Sequence, residues 1–383
     1  MNLPPEEAAS VNIYQHLFKM NSNEPSVALT RQFFAVTTEE VPKKEEIKNS
    51  NCRLLMHLRN FRNRRCGDPR DKIFGVRALA CDINKDLILP EYDDSVALTF
   101  AKACKVILEQ YKTLDLLSMS QGPLWPASAF DKLATEEQIW PSWLPSFGVS
   151  NECIVDGDLF RDTQPLMSLT NYMTNYMTNE RPYYTATLDS KAEPLFSADV
   201  MQVTLSGYRV ATIKSLVALN VLSLLQARNQ FETDAIVDNE SEQGREEAFW
   251  RTLISNRSST SKVAKSETEG AAFNAFCNFY TGPDETTQSV LQQNPLYQAA
   301  FLQHGLGRSF FTTHCGLAGL APLTANVGDA VCLLAGGQVP FILRKVDQRY
   351  QMVGETYVHG IMNGAKWMEL EHRDVENEDF VLF

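Results

Sequence analysis

Between residues 53 and 65, Leu54, Leu55, Leu58 and Phe61 recur at helical spacing, with Arg59, Arg62, Arg64 and Arg65 around them. This pattern predicts an amphipathic helix. The next apolar set, Ile73, Phe74, Val76, Leu79 and Ala80, keeps the same period and predicts a second helix that begins at Pro69 and fades near Cys81. Asp68 suits its N-cap and Pro69 its first position, where the missing N–H would be unpaired anyway. Asp71 suits the third position, where a carboxylate meets the positive end of the helix dipole. A third helix is expected over about 95–111, with Val96, Phe100, Ala103, Val106, Ile107 and Leu108 on one side. Three such helices predict a bundle.

The pattern is less regular on either side. Residues 1–50 mix short apolar pieces with the charged run KKEEIK, which predicts a helix or two and a loose connection. Residues 121–181 are rich in Pro, Trp, Ser and Asn. Their tandem NYMT at 171–178 is far too short for a repeat array and reads as a loop insertion. Residues 183–188 and 201–213 are rich in β-branched and aromatic residues and predict strands, with Gly207 as a turn or bulge. Helices are expected over about 214–229, 245–256, 271–280 and 296–303, and the polar run NRSSTSKVAKSETEG reads as disordered.

The last third changes period. Residues 309–314, 317–320, 329–334, 339–346 and 350–361 are short apolar runs separated by Gly-containing turns, which predicts a small antiparallel barrel. Gly336-Gly337 is a hairpin turn, and Pro340 belongs at an edge or a strand start because it cannot donate to the ladder. The expected class is α+β: a helical region over 1–120, a mixed helix/strand region with flexible insertions over 121–305, a small β-barrel over 306–364 and an acidic, solvated tail over 365–383.

A chain of 383 residues with 44% hydrophobic residues can bury a sizeable core. The formal charge of -12 disfavours nucleic acid and anionic lipid, whose affinity comes largely from Lys and Arg neutralising phosphates. Neither is expected as a partner. The start MNLPPEEAAS lacks the basic and apolar runs of a secretory signal, and the apolar stretch 216–227 is too short to span a bilayer and reads as a packed helix. A cytoplasmic location is expected. The eight cysteines form no CxxC and no regular spacing, so buried free thiols are expected rather than zinc or disulfides.

Candidate chemistry is weak throughout. Asp68, Arg70, Asp71 and Lys72 have the residue types of an anion site at a helix start, yet capping already explains both carboxylates. His304, His314, Cys315 and His359 invite a metal or a thiol/imidazole pair, but adjacent strand residues point to opposite faces, so His314 and Cys315 do not readily share one ion. Gly305-Leu306-Gly307 lacks the third glycine and the preceding strand of a dinucleotide fingerprint. Trp125, Trp140, Trp143 and Trp250 read as packing anchors. No catalytic residue, metal ligand or cofactor site is expected, and the chain is not expected to be an enzyme.

The strings DPRDKIFGVRALA, PEYDDSV, LDLLSMS and WPSWLPSF, followed by VTLSGYRVATIKSL, EAFWRTLISNR, GRSFFTTHCGLAGLAP, VGDAVCLLAGGQVPFILR and YQMVGETYVHGIMNG, resemble in the same order the C-terminal part of fungal heterokaryon-incompatibility (HET) family proteins. The SYxWG and DxxCINQ motifs of that family's core do not occur. The resemblance therefore implies a truncated member that begins past the core. It implies a role in nonself recognition coupled to programmed cell death, through protein partners. The rival expectation is an enzyme or accessory protein of fungal metabolism with a pocket between barrel and helices.

Overall fold

The computed structural model describes residues 54–61, 66–80, 82–120, 140–145, 152–155, 158–161, 182–220, 223–236, 242–260, 262–281 and 296–383. The expectations for 1–50, for the NYMT tandem and for Trp125 lie outside them. Helix α1 (Leu54–Phe61) buries Leu54, Leu55 and Leu58 as its period requires. Arg62, Arg64 and Arg65, part of the basic face read around it, lie outside the described residues.

Helix α2 (Asp71–Arg77) starts two residues later than the sequence suggests. Asp68 does not cap a helix beginning at Pro69; its carboxylate instead accepts the backbone N–H of Arg70 and grips the Arg70 guanidinium at 2.7 Å. Arg70 then donates to the carbonyl oxygens of Tyr92 and Asp94, while Tyr92 donates to the Asp71 carboxylate at 2.7 Å. The strings DPRDK and PEYDD are thus the two halves of one clamp. The Arg70 hydrogen bond holds the Asp68 carboxyl below its ordinary range. Leu79, expected inside, is exposed because the helix ends before its turn reaches the core.

Helix α3 (Val96–Tyr111) has Ser95 as its N-cap, accepting from the Leu98 N–H, and ends on a left-handed Lys112. A 3-10 turn, Asp115–Met119, carries the string LDLLSMS and buries every one of its residues. The WPSW segment follows as a plug. Trp143 is fully buried and donates to the Met201 carbonyl; Ser142 accepts from the Met352 N–H, and its own N–H bonds Phe383.

Strands β1 (Glu152–Val155) and β2 (Asp158–Arg161) form a separate antiparallel hairpin within the Pro-, Trp-, Ser- and Asn-rich stretch. Residues 183–188, predicted as a strand, form turns instead. Short β3 (Leu195–Phe196) precedes β4 (Val203–Ala218), which at sixteen residues outruns the predicted strand. The stretch 214–218 is strand rather than helix, because β4 there pairs with β5 (Arg308–Thr313). Helices α4 (Leu224–Asp234), α5 (Glu242–Leu253), α6 (Ala271–Thr281) and α7 (Leu296–His304) lie between β4 and β5 in sequence.

The remaining elements are β6 (Ala318–Pro322), β7 (Ala330–Leu334), β8 (Phe341–Val346), β9 (Arg349–Glu355), β10 (Tyr357–Val358), α8 (Ala365–His372) and β11 (Glu378–Leu382). Strands β4, β7, β8, β9 and β11 close into a five-stranded barrel, and β5, β6 and β10 extend from β4 as a second flap of sheet. All ring contacts are antiparallel except that of β9 with β11, which is parallel and rests on Leu382 against Tyr350. Pro340 stands directly before β8, as its missing N–H requires.

Two expectations about the barrel change. The runs 309–314 and 317–320 lie on the flap, not in the ring, because β5 pairs with the end of β4 beyond the part that meets β7. Residues 365–383 are not a solvated tail: α8 seats Trp367 against Tyr208, and β11 buries Phe380 and Leu382 completely. The exposed charges of α8 and the turn after it surround the few buried apolar residues, so composition alone read as solvent-facing.

Candidate functional site

Among the described residues, the loop after α5 holds the one adjacent pair of non-glycine residues with positive φ. Ser255 and Asn256 both take positive φ, 51° and 55°, in a region that side chains other than glycine rarely adopt. Arg251 holds it there, donating to the Asn256 side chain and to the Ala264 carbonyl at 2.6 Å each, and pairing with Glu247. Tyr184 donates to the Ser255 carbonyl at 2.6 Å. This interior bonding explains why 256–260 and 262–270 are structured, with Arg257 bridged to Val263 and a π-turn at Ser266–Gly270, although the run reads as disordered.

From this loop a polar seam enters the apolar core. Arg257 is 1% exposed and stacks its guanidinium over Tyr183 and Tyr184, at 4.6 Å and 4.9 Å from the ring centres. His304, at the end of α7, shares a 3.0 Å hydrogen bond with the Ser258 carbonyl. Arg308 and Glu355 form a buried ion pair at 3.2 Å. Tyr357 packs near Tyr184 and reaches the His359 ring at 3.3 Å. Burial pushes His304 down to about 4, with the Arg257 and Arg308 charges acting the same way and the Ser258 hydrogen bond opposing. Burial also lowers His359 and His57.

These shifts set an acid limit on stability. A histidine whose folded pKa lies below its unfolded value costs nothing above pH 6.5. Below that the unfolded chain takes the proton and the folded chain does not, so stability falls as pH drops from about 6.5 towards 4. For His304 the loss is on the order of 3 kcal/mol across that window. The carboxyls of Asp68, Asp234 and Glu247, held below their ordinary range by Arg70, Lys214 and Arg251, add their own loss only at lower pH. Urea midpoints between pH 7 and pH 4 should therefore fall, and His304→Gln should flatten the slope; an unchanged slope in that variant would place the acid sensitivity elsewhere.

The other sequence candidates do not converge. Cys315 is exposed on the β5–β6 turn with its Sγ 3.4 Å from Thr313 Oγ1, and its neighbour His314 is exposed. Among the described residues no three His, Cys, Asp or Glu side chains gather as a metal site. Cys104 and Cys332 are buried thiols as expected, whereas Cys66 and Cys315 are exposed, Cys315 on the turn between β5 and β6. A cleft of 230 Å³ opens between α5 and α6, lined by Glu246, Glu247, Trp250, Ser266 and Phe273 among others. None of His304, Cys315 and His359 lines it. Its best-placed carboxylate, Glu247, is engaged by Arg251 and by the Ser266 hydroxyl at 2.8 Å.

Residues 284–383 match the family model described as the Het-6 beta-barrel domain. The C-terminal region is thus similar to the barrel domain of heterokaryon-incompatibility proteins. Heterokaryon incompatibility protein 6, OR allele, of Neurospora crassa is 35% identical over 85 residues, which cover 21% of this chain and 12% of that protein. The chain thus matches a small fraction of that relative's length. No solved structure matches. Strands β7, β8, β9 and β11 fall within the Het-6 stretch, and β4, which completes the ring, precedes it. Arg308, Glu355, Tyr357 and His359 lie inside that stretch; Arg257 and Tyr184 do not. Arg257 escaped sequence reasoning because it opens a polar run. The available signal was its place as the last residue of the string EAFWRTLISNR. Among the described residues no helix is long and apolar enough to cross a membrane.

Proposed function

We propose that this chain is a regulatory, protein-binding module of fungal nonself recognition linked to programmed cell death, acting in the cytoplasm and without turnover of its own. The observation that carries the reading is the likeness of residues 284–383 to the Het-6 beta-barrel domain, together with the Neurospora crassa relative named for heterokaryon incompatibility. Physical support for a non-catalytic role comes from the ring. Val203, Leu205, Cys332, Leu334, Phe341, Leu343, Met352, Phe380 and Leu382, spread over all five strands, are buried in one apolar cluster. A ring packed this way leaves little room for a preorganised polar centre. In the α5–α6 cleft Glu247 is bound to Arg251 and Ser266, which supports the same view.

The test is expression of the chain in a Neurospora crassa strain that is then fused with strains carrying the same or a different incompatibility allele. The expected result is an allele-dependent change in the frequency of death among fused cells. Identical outcomes with and without the chain would remove the reading.

A further inference from the structure

The strings EAFWRTLISNR, GRSFFTTHCGLAGLAP and YQMVGETYVHGIMNG carry Arg257, Arg308 and Glu355, and the fold brings these charges to one buried place, where all three act on Tyr184. Arg308 takes the Glu355 carboxylate. None of the three guanidinium nitrogens of Arg257 meets a hydrogen-bond partner. An arginine stays charged in any protein environment, and five N–H donors sealed from water without an acceptor are among the costliest arrangements a fold can hold. The Tyr183 and Tyr184 rings stabilise the cation through its faces, but they offer nothing to the N–H groups that radiate in its plane. His304, held neutral, contributes no countercharge. Two residues of strained backbone deliver this cation to a place where the nearby anion is already engaged.

We propose that Arg257 is the receptor for a small carboxylate, bound edge-on by the guanidinium fork while Tyr183 and Tyr184 hold the guanidinium plane. A carboxylate fits because its two oxygens match the two parallel N–H groups of the fork and its single charge balances one cation. A phosphate, with about 1.5 to 2 negative charges near neutral pH, would make the sum of the Arg257, Arg308, Glu355 and ligand charges negative. The ligand is small because Arg257 is enclosed, while Tyr183 beside it is only half-buried. This binding role is independent of the recognition role proposed above.

The test uses the purified 383-residue chain, prepared free of carboxylate buffers. Melting temperature and calorimetric titration are compared for sodium formate, acetate and pyruvate against sodium chloride and sodium phosphate at equal pH and ionic strength. At least one carboxylate should raise Tm progressively with its concentration, with no matching effect of chloride or phosphate. Arg257→Met should abolish that response. Arg257→Lys, which keeps the charge and loses the fork, should weaken binding about tenfold. If the Met variant does not fold, the wild-type salt series and the Lys variant decide the matter. The proposal is overturned by no response to any of the three carboxylates, by an equal or larger response to chloride or phosphate, by a Lys variant that binds as tightly as wild type, or by a response that survives Arg257→Met.

Discussion

Phe380→Asp should leave the chain largely unfolded or insoluble, whereas Glu376→Ala, four residues earlier, should be nearly silent. Phe380 is fully buried on β11, with its ring set edge-on to Tyr350 at 5.1 Å. The strand carrying it pairs along Val203–Gly207 of β4 and meets β9 at the single ladder pair Leu382–Tyr350, so it is the piece that closes the ring. A carboxylate at this position is surrounded by apolar side chains. It must either stay charged without a partner or take a proton, and it also forfeits the packing of a phenylalanine. Loss of the ring's packing alone costs about 3 to 5 kcal/mol, and the buried polar group adds to it. A loss of that size is comparable with the whole stability of many domains. Glu376 is exposed, so its removal should stay within about 0.5 kcal/mol. Soluble yield and urea midpoints of the two variants check this; a Phe380→Asp protein with the wild-type midpoint would mean that the last residues are an appendage after all.

Gly207→Ala is expected to be the next most damaging single change. At this residue β4 faces Glu378 of β11 and Leu334 of β7 at once. A Cβ placed there would stand 2.1 Å from the Leu333 carbonyl oxygen and 2.8 Å from the Leu334 Cα. Both obstacles are backbone, so no rotamer change relieves them, and the strands must separate where the ring is held on both sides. The expected cost is about 3 kcal/mol or more. Gly75, inside α2 with nothing within 4 Å of its Cβ position, is the contrasting case. Its replacement by Ala should stabilise the helix by roughly 0.5 to 1 kcal/mol. Opposite shifts of the urea midpoint in the two variants would confirm that close approach, not a turn, requires glycine at 207.

The polar seam was legible only in part. His304 and His359 stand out in the sequence as titratable residues, and both are in the seam, but with the pairings of packed side chains rather than those of a metal or thiol site. Arg257 closes the string EAFWRTLISNR, but its own surroundings gave no sign of burial, because arginine followed by Ser, Ser and Thr has the composition of a solvated loop. What makes it buried is remote: Tyr184 anchors the Ser255 carbonyl from 71 positions away.

Helical period, capping residues and turn glycines are local properties of the chain. They sufficed for the span of α3, for α6 and α7, and for the strand-rich character of the final third, while the Ser95 cap of α3 emerged only in the structure. Membership of the ring is not local. Runs 309–314 and 330–334 have the same apolar pattern, yet one lies on the flap and the other in the ring, because β4 pairs with both along different parts of its length. The charged segment 365–383 becomes wall rather than tail for the same reason. A strand's place is set by the edge that accepts it, and that edge lies more than 160 residues earlier in the sequence, where no pattern in the segment itself points.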